Sequence, residues 1–185
     1  MKVRHSDSLI LIWQLAEFEA RHANASMIEP AHLLLGLCKS VDLDLTALVS
    51  NTLPERDEIL EELLREVRRL RAIFRAVGVD ACKFRRALRR KCAGQRTLEL
   101  QDEEAQRLHR SKSAKQVFAD AEHLAEMDKA IVFPAHLLYA VISVDDSERD
   151  DLLKRQGVEI TILRNEAKRE VLTFLQRESP PPGHN

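Results

Sequence analysis

Apolar residues recur at spacings of three and four along most of the chain, and β-branched runs are short. Both features predict helices rather than sheets. Residues 7–23 carry an apolar face through Ile10, Trp13, Leu15, Ala16 and Ala20, which reads as a first helix. Pro30 and Pro134 each precede an apolar run, where proline opens a helix because its missing N–H has no intrahelical partner there anyway. Pro54 reads as the start of a further, long helix reaching Val77, with a stripe at Leu60, Leu63, Val67, Leu70, Phe74 and Val77. That stripe alternates by three and four over about two and a half heptads, shorter than the three to four that define a coiled coil.

The pattern also repeats. Pro-Ala-His-Leu-Leu occurs twice, at Pro30–Leu34 and Pro134–Leu138, with matched apolar positions after it. Further on, Gly78-Val79-Asp80 matches Gly157-Val158-Glu159. After these glycines Phe84, Leu88 and Cys92 correspond to Leu163, Ala167 and Val171. Each glycine is expected to stop one helix before the next begins. The fold class expected is therefore all-α, with two related four-helix repeats, residues 7–94 and 111–176, in one domain spanning 1–178. His32 and Gly78 lie 46 positions apart, whereas His136 and Gly157 lie 21 apart. The first repeat thus carries about 25 extra residues, placed within 42–76 and made mostly of the long helix. A polar linker at 95–110 joins the repeats, and the proline-rich tail at 179–185 is expected to be disordered.

Charge narrows the function without naming it. There are 29 basic and 30 acidic residues, a balance that argues against general binding to nucleic acid or a membrane surface. Aromatic residues make up 4% of the chain, too few to build a base-stacking platform. No apolar stretch approaches the roughly 20 residues of a membrane span, and no secretory signal is legible. Three cysteines, Cys38, Cys82 and Cys92, lack a Cys-x-x-Cys spacing and read as free thiols of a reducing compartment, so the expected location is cytoplasmic.

The duplicated Pro-x-His-Leu-Leu frame, with Gly-Val-Asp/Glu opening the last helix of each repeat, resembles the Clp N-terminal domain, the double-repeat module at the front of Clp-type AAA+ unfoldases. The resemblance covers roughly Asp7 to Leu175, apart from the extra segment. It implies a pseudo-twofold helical bundle that binds adaptors or substrate segments and has no ATPase activity of its own. No Gly-x-x-x-x-Gly-Lys-Ser/Thr phosphate loop occurs in the sequence. In one respect the chain departs from the family. Family members carry Glu just before the His of both repeats, and in the ClpC-like branch these acids help to recognise phosphoarginine. Here the two positions are Ala31 and Ala135.

Pro30, Ala31, Pro134 and Ala135 are therefore candidate partner-binding positions. His32 and His136 read as structural histidines at helix starts. A metal site would need further ligands at suitable spacing, and none is placed to supply them. A run from Lys83 to Arg96 holds basic residues and no acid; Arg85, Arg86, Arg89 and Arg90 read either as a solvated face or as a dock for an acidic partner. Asp145, Asp146, Glu148, Asp150 and Asp151 form an acidic counterpart, which leaves self-association through opposite patches open. The stripe Leu60, Leu63, Val67, Leu70 and Phe74 either packs on its own bundle or pairs with a second copy. No catalytic signature is present, and no cofactor is implied. The function expected is a non-catalytic protein-binding module for a Clp-type ATPase, its adaptors or its clients, in protein quality control. The alternative is a structural protein dimerising through the long helix.

Overall fold

The computed structural model describes residues 3–45, 57–93, 108–127 and 131–178. Among them are eight helices: α1 (Asp7–His22), α2 (Pro30–Asp42), α3 (Asp57–Ala76), α4 (Ala81–Ala93), α5 (Lys112–Met127), α6 (Pro134–Ser143), α7 (Ser147–Lys154) and α8 (Ile160–Glu178). Pro30 and Pro134 occupy the first helical positions of α2 and α6, as their spacing predicted. Pro54, the stretch 95–107 and the tail lie outside the described residues.

The helix ends follow from local chemistry. Gly78 and Gly157 take φ of +78° and +77°, the left-handed conformation that costs a Cβ-bearing residue about 1–2 kcal/mol. After each glycine a valine N–H returns to a carbonyl in the preceding turn, Val79 to Phe74 at 2.9 Å and Val158 to Leu153 at 3.1 Å. The same Schellman closure thus ends α3 and α7. Asp80 then starts α4 by accepting the Lys83 N–H at 2.9 Å.

The two halves are interlocked by short parallel pairings that helical periodicity did not reveal. Strand β1 (Met27–Ile28), just before α2, pairs with β2 (His109–Arg110), just before α5. Reciprocally, the segment before α1 pairs with the segment before α6, through a bridge between His5 and Val132. Ser6 and Ser111 occupy equivalent places: the Ser6 N–H donates to Val132 and the Ser111 N–H to Ile28, both at 3.0 Å. Each serine hydroxyl also accepts from the first turn of its own helix, from Leu9 and Ala114 respectively. Each half thus threads its leading segment into the other, and buried residues of both halves form one apolar cluster.

One sequence expectation needs correction, and one open alternative is narrowed. The buried face of α1 is Leu9, Ile12, Ala16 and Ala20, and Ile10 is 46% exposed. Leu9 and Ile12 lie one position before the Ile10 and Trp13 read from the sequence. The reason is that α2 approaches so closely that a Cβ on Gly36 would stand 2.6 Å from the Ile12 carbonyl oxygen, which fixes the rotation of α1. For the long helix the sequence left two arrangements open, packing on its own bundle or pairing with a second copy. In α3, Val67, Leu70, Ile73 and Phe74 are all buried, against α1, α2, α6 and α8. This broad face is that of a helix seated on its own bundle, wider than a two-residue heptad seam. Val67, Leu70 and Phe74 are therefore unavailable for pairing with a second copy; Leu60 and Leu63 are half-buried.

Candidate functional site

The two Pro-Ala-His turns use one hydrogen-bond design. The Glu29 N–H donates to His32 Nδ1 at 3.0 Å, and the Phe133 N–H donates to His136 Nδ1 at 3.3 Å. Each histidine side chain thereby satisfies a backbone donor at the mouth of its helix, the role that Glu or Gln plays in a capping box. An acceptor at Nδ1 requires the neutral ring with its proton on Nε2. Burial lowers the pKa of His32, and burial takes His136 down to about 4. Both are structural residues. Among the described residues no group of three or more His, Cys, Asp or Glu side chains could hold a metal.

The surfaces around the two turns are not equivalent. Pro30 and Ala31 are half-buried and line an open groove of about 500 Å³ with Glu29, Ser113, Asp146 and Glu148. Pro134 and Ala135 are buried. Helix α3 packs on both α1 and α6, and its Glu66 carboxylate accepts hydrogen bonds from Ser6, at 2.7 Å, and from Ser8 at the start of α1. Burial raises the Glu66 pKa against the pull of those two hydroxyls. Pro134 and Ala135, taken from the sequence as binding positions, are thus core residues, because the long helix lies over this side of the molecule.

The basic run divides in the same way. Arg89 Nε lies 2.7 Å from Glu19 Oε2, with a second guanidinium contact to Oε1. Lys39 and Arg85 approach the same carboxylate at 3.5 and 3.7 Å, and Arg85 also bonds Asp42 at 3.1 Å. Glu19 is only 1% exposed. Arg85 and Arg89 therefore serve as counter-ions to a buried carboxylate, whereas Arg86 and Arg90 remain exposed. The sequence offered no signal for this, because the burial of Glu19 depends on how α1 is rotated against α2. The acidic cluster is likewise engaged at home. Asp146 caps α7, Asp150 accepts from the buried Arg149, and Glu148 pairs with Lys91 at 3.6 Å.

One site was not anticipated at all. Between α1 and α5 runs a mainly apolar groove of about 280 Å³, lined by Leu9, Ile10, Trp13, Leu108 and Phe118 together with the polar His5, Glu17 and Arg110. Trp13 meets Phe118 edge to face at 5.6 Å, and the Arg110 guanidinium lies over both rings, 5.3 and 5.0 Å from their centres. The half-exposed Trp13 and Leu108 and the exposed Ile10, beside a cation that lies over the Trp13 and Phe118 rings, form a surface suited to an apolar side chain. Trp13, the only tryptophan, was the one sequence signal for it. Arg110 belongs to β2 and Leu108 immediately precedes it, and β2 is positioned by the pairing between the halves.

This architecture, two interlocked sets of helices whose second helices start with Pro-Ala-His, defines a double helical repeat. The family model of the Clp repeat (R) N-terminal domain matches residues 57–156, more than half of the chain, and the chain belongs to that family. The fold is similar to the Hsp104 N-terminal domain from Candida albicans, with 18% identity, a TM-score of 0.61, and 89% of each chain covered. It is also similar to a structure described as a preliminary structural investigation of a malarial protein secretion system, with 17% identity, a TM-score of 0.62, and 94% of this chain and 98% of that one covered. A third similar structure is the N-terminal domain of the chaperone ClpD from Arabidopsis thaliana, with 20% identity, a TM-score of 0.51, and coverage of 94% and 95%. At these identities the likeness establishes the fold. No curated protein sequence matches the chain. In Clp unfoldases this domain binds substrates and adaptors. Among the described residues no helix is long and apolar enough to cross a membrane.

Proposed function

We propose that this chain is a non-catalytic recognition module that holds exposed apolar segments of client or adaptor proteins for a Clp-type ATPase in cytoplasmic protein quality control. The observation that carries this reading is the α1/α5 groove, in which Ile10, Trp13 and Leu108 offer apolar surface beside the Arg110 cation. Burying one large apolar side chain there is worth about 1.5–3 kcal/mol, enough for selection among unfolded segments but too little for permanent capture. Arg110 adds a preference for segments with a carboxylate near the apolar anchor. The departure at Ala31 and Ala135 supports recognition that does not depend on phosphoarginine.

The test uses Trp13 as its own reporter. Titration with an unfolded, apolar-rich polypeptide should change Trp13 emission saturably. Ile10→Asp, at an exposed position, should weaken binding about tenfold or more while leaving the helical spectrum intact. Binding that Ile10→Asp leaves unchanged would place the client site elsewhere. The alternative of dimerisation through the long helix loses its main support, since the centre of its stripe lies in the core of this chain.

A further inference from the structure

A second groove lies between α4 and α7, about 390 Å³ in volume, and its lining is strongly cationic. Lys83, Arg90, Lys91 and Arg155 surround a floor that includes Ala87 and Leu152, and no carboxylate lines it. Lys83 is held by Asp80 at 3.2 Å and Lys91 by Glu148 at 3.6 Å. Arg90 and Arg155 have no carboxylate partner among the described residues, and neither does Arg86. Lys83, Arg86 and Arg90 recur at i, i+3 and i+7 and so share one face of α4.

The contrast with Arg85 and Arg89 on the same helix gives this arrangement its meaning. Those two turn inward to Glu19 and stabilise the bundle. Arg86, Arg90 and Arg155 serve no internal carboxylate, and in a chain with a net charge of −1 they form a local excess of positive charge. The groove is also built from both halves. Lys83, Ala87, Arg90 and Lys91 come from α4, Leu152 from α7, and Arg155 and Gln156 from the turn that follows it. Gln156 is itself anchored, its side-chain oxygen accepting the Asp80 N–H at 3.1 Å.

We infer that the α4/α7 groove docks an acidic, partly apolar peptide segment of a partner protein, with Arg90 and Arg155 receiving its carboxylates and Ala87 and Leu152 its apolar side chain. Guanidinium forks match carboxylates bidentately, and the floor selects segments in which acidic and apolar residues are interleaved. A nucleic-acid backbone would meet the same charges, but no aromatic ring lines the groove to stack a base. This site is separate from the α1/α5 groove, so the two can succeed or fail independently.

The experiment is fluorescence anisotropy on the full chain with a labelled short peptide of alternating leucine and glutamate. Its competitors are the same peptide with glutamine for glutamate and a single-stranded RNA oligonucleotide. Saturable binding is expected, weakening severalfold as salt rises from about 50 mM to about 300 mM. The double variant Arg90→Glu/Arg155→Glu should lose about tenfold or more in affinity. Arg90→Gln/Arg155→Gln, a milder change at the same places, should lose less. Lys115→Glu, on the exposed face of α5 and in neither groove, should leave this binding unchanged. Thermal melts of every variant establish that the fold is intact. The inference is overturned by unchanged affinity in both arginine variants, by equal binding of the glutamine peptide, by tighter binding of the oligonucleotide, or by no measurable binding.

Discussion

Arg89 in α4 grips the buried carboxylate of Glu19 in α1, with Nε 2.7 Å from Oε2. The pair joins helices that are 70 positions apart in the chain. Removing one member of a buried pair costs about 3–5 kcal/mol, because the remaining charge keeps its desolvation penalty. Glu19 is almost fully buried and holds Lys39, Arg85 and Arg89 together, whereas the Arg89 side chain is 34% exposed. Glu19→Ala should lower the stability measured by urea unfolding by about 3 kcal/mol, because it leaves the partly buried Lys39, Arg85 and Arg89 facing one another with no carboxylate between them. Arg89→Ala should cost less, because Lys39 and Arg85 still face the carboxylate. Equal costs for the two would mean that the network acts only as a single pair.

Stability should fall in mild acid. Burial depresses the His136 pKa to about 4, below the 6.5 of the unfolded chain. The unfolded state therefore takes up a proton first as pH drops. The stabilisation is complete above about pH 6.5 and is lost as pH falls towards 4, amounting to at most about 3 kcal/mol. His32, also lowered by burial, acts in the same direction. Glu66, raised by burial, acts in the opposite direction, adding stability as pH falls through its raised pKa towards 4.5. Melting temperatures between about pH 7 and pH 4.5 should show a decline that His136→Asn flattens, since Asn keeps an acceptor but does not titrate in this range. An unflattened decline would assign it to other groups.

Leu70 separates a helix seated at home from one that pairs. It is 1% exposed in α3, among side chains of its own chain. Leu70→Ala should destabilise by about 2–5 kcal/mol. The midpoint of unfolding should not depend on protein concentration in either the parent or the variant. A midpoint that rises with concentration in the parent only would restore dimerisation through this helix.

The alanines that precede His32 and His136 lead to a negative prediction. Calorimetry with a phosphoarginine peptide should register no binding, because the acids that serve this purpose in the ClpC-like branch are absent. Ala31→Glu should be tolerated at its half-buried groove position. Ala135→Glu should destabilise the fold, since it places a carboxylate where the residue is 4% exposed. Micromolar binding by the parent chain would refute the first statement.

Much of the architecture was legible beforehand for local reasons. Proline at the first helical position, glycine at a left-handed helix end and apolar spacing each act within a few residues, so α1, α2, α6 and both glycine turns stand where the periodicity placed them. The duplication was legible because equivalent turns need equivalent residues. What was not legible depended on contacts between distant segments. The β1–β2 pairing brings Leu108 and Arg110 beside Trp13 and so creates the apolar groove. The approach of α2 at Gly36 sets the rotation of α1, exposes Ile10 and buries Glu19. That carboxylate in turn draws Arg85 and Arg89 inward and leaves Arg86 and Arg90 to solvent. The seating of α3 over α1 and α6 buries one Pro-Ala turn and leaves its twin open. The sequence by itself determined a twice-used helical unit, because backbone preferences and periodicity are local. Only the tertiary structure decided which copies of its features face a partner, because exposure depends on what the rest of the chain packs against them.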